Sequence, residues 1–419
     1  MILHTPCLLA TLATLLCLSS STHAADWKEF RGPNGTGIAP HSQPVTHWSE
    51  TENIRWKVPI EGRGWSSPAI AGHEIWLTTG TDDGHKRIAI CLDRKTGNVI
   101  HEIVVFEVEE PEFIHQTNSY ASPSPLIFGE HVCLHFGSIG TACVNRKSGK
   151  VLWTRTDLPC DHHRGSGSSP IIYQNLIYLH YDGFDVQYAV ALNAETGETV
   201  WKHTRPEELF ETDNGDHKKA YATPTIFQID GKDVLISPAA KTTFALDPLT
   251  GKTLWHVRYD EHSTATRPLY GNDLLYIDTG FSKGKLYAIN PSGSGELSED
   301  KVAWVAKRAV PSKPSPLLID QRIYMVYDKG GIVSCLNALT GDVVWQERLG
   351  GNFWASPIAA NGVIYLPDDS GTTHVVKADD TYEVIAENKL DEGCTSSMAI
   401  VDDEIILRTR THVYLIAKD

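Results

Sequence analysis

A repeating four-strand unit constrains this chain more than any other feature. Its clearest copy, residues 313–349, opens with Ser315-Pro316 and an apolar run to Ile319. Arg322 to Tyr327 follows as a second strand, and Asp328-Lys329-Gly330-Gly331 has the Gly-rich chemistry of a hairpin turn. Ile332 to Leu336 reads as a third strand. Asn337 to Gly341 then turns the chain, and Val343 to Glu347 is a fourth strand carrying Trp345. Four antiparallel strands in so short a span cannot bury both faces alone, so copies must stack.

The copies are present. Ser-Pro-type starts occur at Pro68, Pro125, Pro170, Pro224, Pro268, Pro316 and Pro357, with Ser397-Met398 as a degenerate eighth. Third strands end in small residue, aliphatic and Asn or Asp, as in Ala191-Leu192-Asn193 and Cys335-Leu336-Asn337. Turn glycines follow at Gly97, Gly149, Gly197, Gly251, Gly293 and Gly341, then Trp153, Trp201, Trp255, Trp304 and Trp345, with His101 standing first. The starts are 41 to 57 residues apart, the period of a four-stranded propeller blade. Residues 52–419 are therefore expected to form an all-β, eight-bladed β-propeller. The last repeat reaches Asp419 after three strands, while Asn53 to Val58 is a surplus fourth strand; the two should complete one blade and leave no open edge. A residue recurring in blade after blade is a packing element, so the tryptophans are expected between blades.

With its SSP start, ALN-TG turn and Trp, the unit resembles the pyrroloquinoline-quinone-type propeller repeat. That repeat is shared by quinoprotein alcohol dehydrogenases and the lipoprotein B subunit of the bacterial outer-membrane barrel-assembly machine. The opening Trp27-Lys28-Glu29-Phe30-Arg31-Gly32-Pro33-Asn34-Gly35 is similar to the start of secreted bacterial proteins of the class. The resemblance implies an exported propeller. It also raises pyrroloquinoline quinone as a cofactor, which in the dehydrogenases lies under a disulfide between adjacent cysteines and beside a calcium held by Glu, Asn and Asp. This sequence has no adjacent cysteine pair and no recognisable calcium triad, so a non-catalytic scaffold is the expectation. A quinone-dependent dehydrogenase or a metal-binding enzyme at the channel mouth is the alternative.

Residues 1–24 stand apart, with an apolar run from Leu8 to Leu18 and Thr22-His23-Ala24 before Ala25. They read as a signal peptide cleaved after Ala24, which places the chain in the periplasm or outside the cell. No later stretch has the 18 apolar residues needed to span a membrane. A net charge of −15 without a basic stripe argues against nucleic acid. Residues 25–51 form an extension in which Trp27, Phe30 and Trp48 can anchor a strap over the ring; a functional role would require Arg31 to reach the channel. Cys91, Cys143 and Cys335 occupy a repeat position that is otherwise Ala, so packing explains them. Cys133 and Cys143 oppose each other on one hairpin, where a disulfide or two thiols would fit. There is no CxxC motif.

The inter-blade linkers are unequal. From the fourth-strand Trp to the next Pro they run 12 residues after Trp56, Trp304 and Trp345, and 13 after Trp255. They run 24 after His101, 17 after Trp153 and 23 after Trp201. Three neighbouring insertions on one face are expected to build a protein- or glycan-binding surface bordered by His115, Tyr120, His162, His163, Arg164, His217, Lys218 and Tyr221. Imidazoles in this number suit Zn, Cu or Fe, but no ligand spacing supports a metal site. A monomer is expected.

Overall fold

The computed structural model describes residues 26–418 apart from 211 and 282, so the expected leader lies outside the described residues. The described residues form eight antiparallel four-stranded blades with almost no helix. Blade 1 is Ala69–Ala71, Glu74–Gly80, Lys86–Asp93 and Val99–Glu107. Blade 6, the clearest repeat, is Leu317–Ile319, Arg322–Val326, Ile332–Asn337 and Val343–Arg348. First strands are short and mostly buried, and they touch the first strands of neighbouring blades, so they line the axis. The linkers and the second-to-third-strand turns share one face, here called the linker face.

The Ser-Pro start has a specific task. The Ser67 N–H donates to Ser124 Oγ at 3.0 Å, Ser124 to Ser169 at 2.9 Å, and Ser169 to Thr223 Oγ1 at 2.9 Å. At blade 5 the relay resumes from the Arg267 N–H through Ser315, Ser356 and Ser397, and Ser397 closes it onto Ser67 at 3.1 Å. Each hydroxyl satisfies an amide that the following proline keeps out of a regular ladder. Arg267 has no hydroxyl to offer; its guanidinium reaches Thr225, Phe30 and Glu29 instead.

The turn glycine and the tryptophan act across blades. Trp153 donates to the Ala194 carbonyl of the next blade at 3.0 Å, Trp201 to Pro248 at 2.9 Å, Trp304 to Ala338 at 3.0 Å and Trp345 to Asp379 at 2.9 Å. His101 does the same to Arg146 at 2.9 Å. The glycines lie flat against these rings: a Cβ on Gly341 would sit 2.7 Å from Trp304, and one on Gly197 2.7 Å from Trp153. The tryptophans are inter-blade latches.

Closure follows the sequence reading. Ile54–Pro59 pairs antiparallel with His412–Ile416, and Trp56 sends its Nε1–H to the Arg94 carbonyl of blade 1 at 2.9 Å. The extension is a strap across the other face. Trp27 pairs with Ile70 of blade 1, Lys28 accepts from Ile127 of blade 2, and Ile38–Ala39 adds a parallel strand to the inner edge of blade 7. Arg31 is wholly buried and reaches the axial first strands. Its guanidinium donates to the carbonyls of Ser315, Pro316 and Pro357 at 3.0, 2.8 and 3.2 Å, and to Gly35 and Thr36 of the strap itself. It therefore ties the strap to the first strands of blades 6 and 7. Cys133 and Cys143 face each other in register, and both are free thiols.

Candidate functional site on the linker face

The repeat register shows where the channel opens. The residue three before each start proline, or before Met398, is Trp65, Ser122, Gly167, Tyr221, Ala265, Lys313, Trp354 or Thr395. All eight are half-exposed, whereas the residue after each is buried. They form a ring around the mouth. Trp65 and Trp354 pack with centroids 6.3 Å apart. The Arg63 guanidinium lies 5.0 Å from the Trp65 ring and the Lys313 ammonium 3.7 Å from the Trp354 ring.

The long linkers interlock beside this mouth. The His115 N–H donates to the Arg164 carbonyl at 3.4 Å, and Asn118 Nδ2 donates to Arg164 and Ser166 at 2.8 and 3.2 Å. Arg164 faces Asp216 at 4.0 Å, and buried Lys219 is bonded to the same carboxylate. The Tyr221 hydroxyl donates to the His162 carbonyl at 3.4 Å, and Arg63 donates to Gln116 at 2.6 Å. Burial, then the Arg164 charge, lowers the His115 pKa. Burial lowers that of Lys313 against the opposing pull of Asp328, and the charges of Lys329 and Arg164 add to the lowering. Four cations, Arg63, Arg164, Lys219 and Lys313, thus gather at the mouth of an acidic protein. Asp216 and Asp328 offset them; Asp328 is held by Ser312 at 2.7 Å and Lys313 at 3.6 Å.

The expected site residues divide accordingly. His115, Arg164 and Tyr221 border the mouth. His163 stands on the outer rim, stacked on Phe184 at 5.3 Å with exposed Phe113 at 6.5 Å. His217 lies 4.7 Å from the His262 ring, and Lys218 reaches over Phe210 at 5.8 Å. His162 turns into the wall between blades 2 and 3, its Nε2 enclosed without a partner and its ring 6.0 Å from Tyr181; burial brings its pKa down to about 4. Tyr120 is directed at blade 1, beneath the Arg87 guanidinium at 4.4 Å and against Gly84, so it packs the wall rather than the mouth. Trp65, Trp354, Lys313, Arg63 and Lys219 were not expected. The available signal was that Trp occupies the third position before the proline in two repeats only, so it is not a repeated packing element.

One arrangement imitates a hydrolase. Ser237 Oγ lies 2.8 Å from His180 Nε2, and Asp182 is 3.9 Å from His180 Nδ1. All three are buried, Nδ1 donates to the Ala222 carbonyl at 3.1 Å, and Arg205 donates to both Asp182 oxygens and to Ser237. Substrate has no approach, so this is a polar pin between blades 3 and 4.

A profile of the family described as outer membrane protein assembly factor BamB matches residues 38–179, 181–309 and 296–416. Tetrathionate hydrolase of Acidithiobacillus ferrooxidans is 24% identical over 220 residues, which are 48% of this chain and 42% of that protein. The match therefore spans less than half of that relative. Among solved structures, BamB from Moraxella catarrhalis has a TM-score of 0.60 at 12% identity, covering 87% of this chain and 99% of that one. A europium-containing methanol dehydrogenase gives 0.68 at 11% identity, covering 94% and 98%. The quinohemoprotein alcohol dehydrogenase of Comamonas testosteroni gives 0.67 at 12% identity, covering 95% and 81%. At such identities the structural likeness carries the fold alone.

Proposed function

The chain belongs to the family of the outer membrane protein assembly factor BamB, and on that premise we propose that it is an exported, non-catalytic propeller that binds a partner protein on its linker face. The observation that carries this reading is the interlocking of the three long linkers. Hydrogen bonds join residues 115–118 to 164–166 and Tyr221 to His162, while Asp216 faces Arg164. Loops built this way lose little further entropy on binding, so they act as a preformed surface. Exposed Phe113 and Phe184 supply apolar anchors on it, and the cationic mouth supplies charge. A protein is favoured over a glycan because Arg63 and Lys313 already lie over the Trp65 and Trp354 rings that a sugar would stack on.

A photo-crosslinking residue at Phe113 should give one discrete protein adduct in intact cells, and the same residue at His73 on the strap face should give none. Arg164→Glu with Lys313→Glu should weaken that adduct. Equal labelling from both faces, or none from Phe113, would overturn the reading.

Oxidation through pyrroloquinoline quinone and calcium, which the dehydrogenase neighbours raise, is a poor match to these residues. Lys313 covers one face of Trp354, Asp216 and Asp328 are committed to cations, and no two cysteines are adjacent. Among the described residues no trio of His, Cys, Asp or Glu is poised to hold a metal. Titration with the quinone and calcium should leave the melting temperature unchanged; saturable binding with dye reduction would favour the enzyme.

A further inference from the structure

Blade 2 departs from its neighbours at one pair of facing residues. Cys133 on His131–His135 lies directly opposite Cys143 on Thr141–Asn145. The ladder can be counted from both ends. The Phe136 N–H donates to Gly140 and the Arg146 N–H to Glu130, both at 2.9 Å. Counting inward from either bond makes 133/143 a non-hydrogen-bonded pair, where facing Cα atoms approach to about 4.5 Å. That separation lies inside the range of about 4.4–6.8 Å that disulfides span.

In four other blades the same register position pairs a large ring with a small side chain, Trp76 with Cys91, Tyr178 with Ala191, Tyr276 with Ala288 and Tyr324 with Cys335, while blades 4 and 8 fill it with the aliphatic pairs Ile236/Ala245 and Ile406/Leu415. Tyr178 and Tyr276 reach the turn carbonyl of the next blade, Pro248 at 3.0 Å and Ala338 at 3.2 Å. Blade 2 has two thiols there and lacks that arm. Cys91 and Cys335 face aromatic rings, while Cys160 and Cys394 lie in separate linkers. Among the six described cysteines, only Cys133 and Cys143 are placed to join.

We propose that Cys133 and Cys143 form a cross-strand disulfide, installed while the chain folds, that pins blade 2 in place of the missing aromatic arm. The oxidant is a disulfide, either glutathione disulfide or the disulfide of a thiol oxidase. One protein thiolate attacks it, expelling a thiol, and the second thiolate displaces the other half from the mixed disulfide. The S–S bond of the oxidant is broken, that of the protein is formed, and two protons and two electrons leave on two oxidant thiols. In the folded chain both sulfurs are fully enclosed. Burial also raises the pKa of both thiols, so the attacking thiolate is scarce. The folded protein should therefore keep whichever state it folded in.

Trypsin isolates the test. Residues 96–146 contain only these two cysteines and no Lys or Arg before Arg146. Full-length chain purified from a reducing cytoplasm should be alkylated at both positions when denatured without reductant. Refolding it with oxidised and reduced glutathione should yield that peptide unalkylated and two hydrogens lighter. Adding oxidised glutathione to the native reduced protein should leave both thiols alkylatable. Double alkylation after oxidative refolding would overturn the bridge, and bridging of the native protein would overturn its installation during folding. Both readouts are independent of where the chain resides and of any partner.

Discussion

Trp65 and Trp354 pack over the channel mouth at 6.3 Å although they belong to the first and seventh blades. They meet because blade 8, which separates them, presents only Thr395 at the equivalent position. Their contact therefore depends on the ring being closed, and closure depends on one strand from the beginning of the chain.

Removing residues 53–59 should strip the outer strand from blade 8 and abolish cooperative unfolding. The milder Trp56→Ala loses a half-buried ring and its bond to Arg94, so it should cost about 2 kcal/mol in urea denaturation. Wild-type melting of the deletion would sink the closure argument.

Two glycines separate backbone strain from ring contact. Gly341 and Gly362 have φ of 76° and 75°, but only Gly341 has a neighbour, Trp304, where a Cβ would go. Gly362→Ala should cost about 1 kcal/mol and Gly341→Ala about 3 kcal/mol. Equal losses would mean that the latch geometry is wrong.

The hydroxyl relay predicts a sharp distinction between Ala and Thr. Ser356→Ala leaves the buried Ser315 N–H without an acceptor and should cost about 2 kcal/mol, while Ser356→Thr, which copies Thr223, should stay within about 0.5 kcal/mol of wild type. Thermal unfolding of the pair decides it.

His135 should make the fold acid-sensitive. Its ring is buried beside Tyr181, with Nδ1 on Thr141 Oγ1 at 2.9 Å. Burial, then the charge of His162, brings its pKa down to about 3 from 6.5. Above pH 6.5 the imidazole is neutral in both states and costs nothing. As pH falls from 6.5 to about 3, only the unfolded chain takes the proton, so stability is lost across that window. His135→Gln should flatten the melting profile between pH 6.5 and 4; a slope unchanged from wild type would reject the assignment.

The propeller was legible because its code is local and repeated. Ser-Pro, turn glycine and tryptophan each recur with the same task in most blades, so weak signals add into one strong one. Closure was legible from a strand left without a blade. The linker face was legible only as loop length. Length located His115, Arg164 and Tyr221 at the mouth, but it also swept in Tyr120, which packs under Arg87. Trp65 and Lys313 escaped notice because the linkers carrying them have ordinary lengths. What brings them together is rotation around the ring, which one-dimensional spacing does not encode.

Arg31 gives the molecule a direction. Two of its five carbonyl contacts close the strap on itself and three tie it to the starts of blades 6 and 7, so the strap is fastened to the ring at one end of the axis. Asp26 caps the Gly72 amide on that same face, which fixes the start of the strap to blade 1. The strap therefore takes up one face of the ring and leaves the other to the linkers.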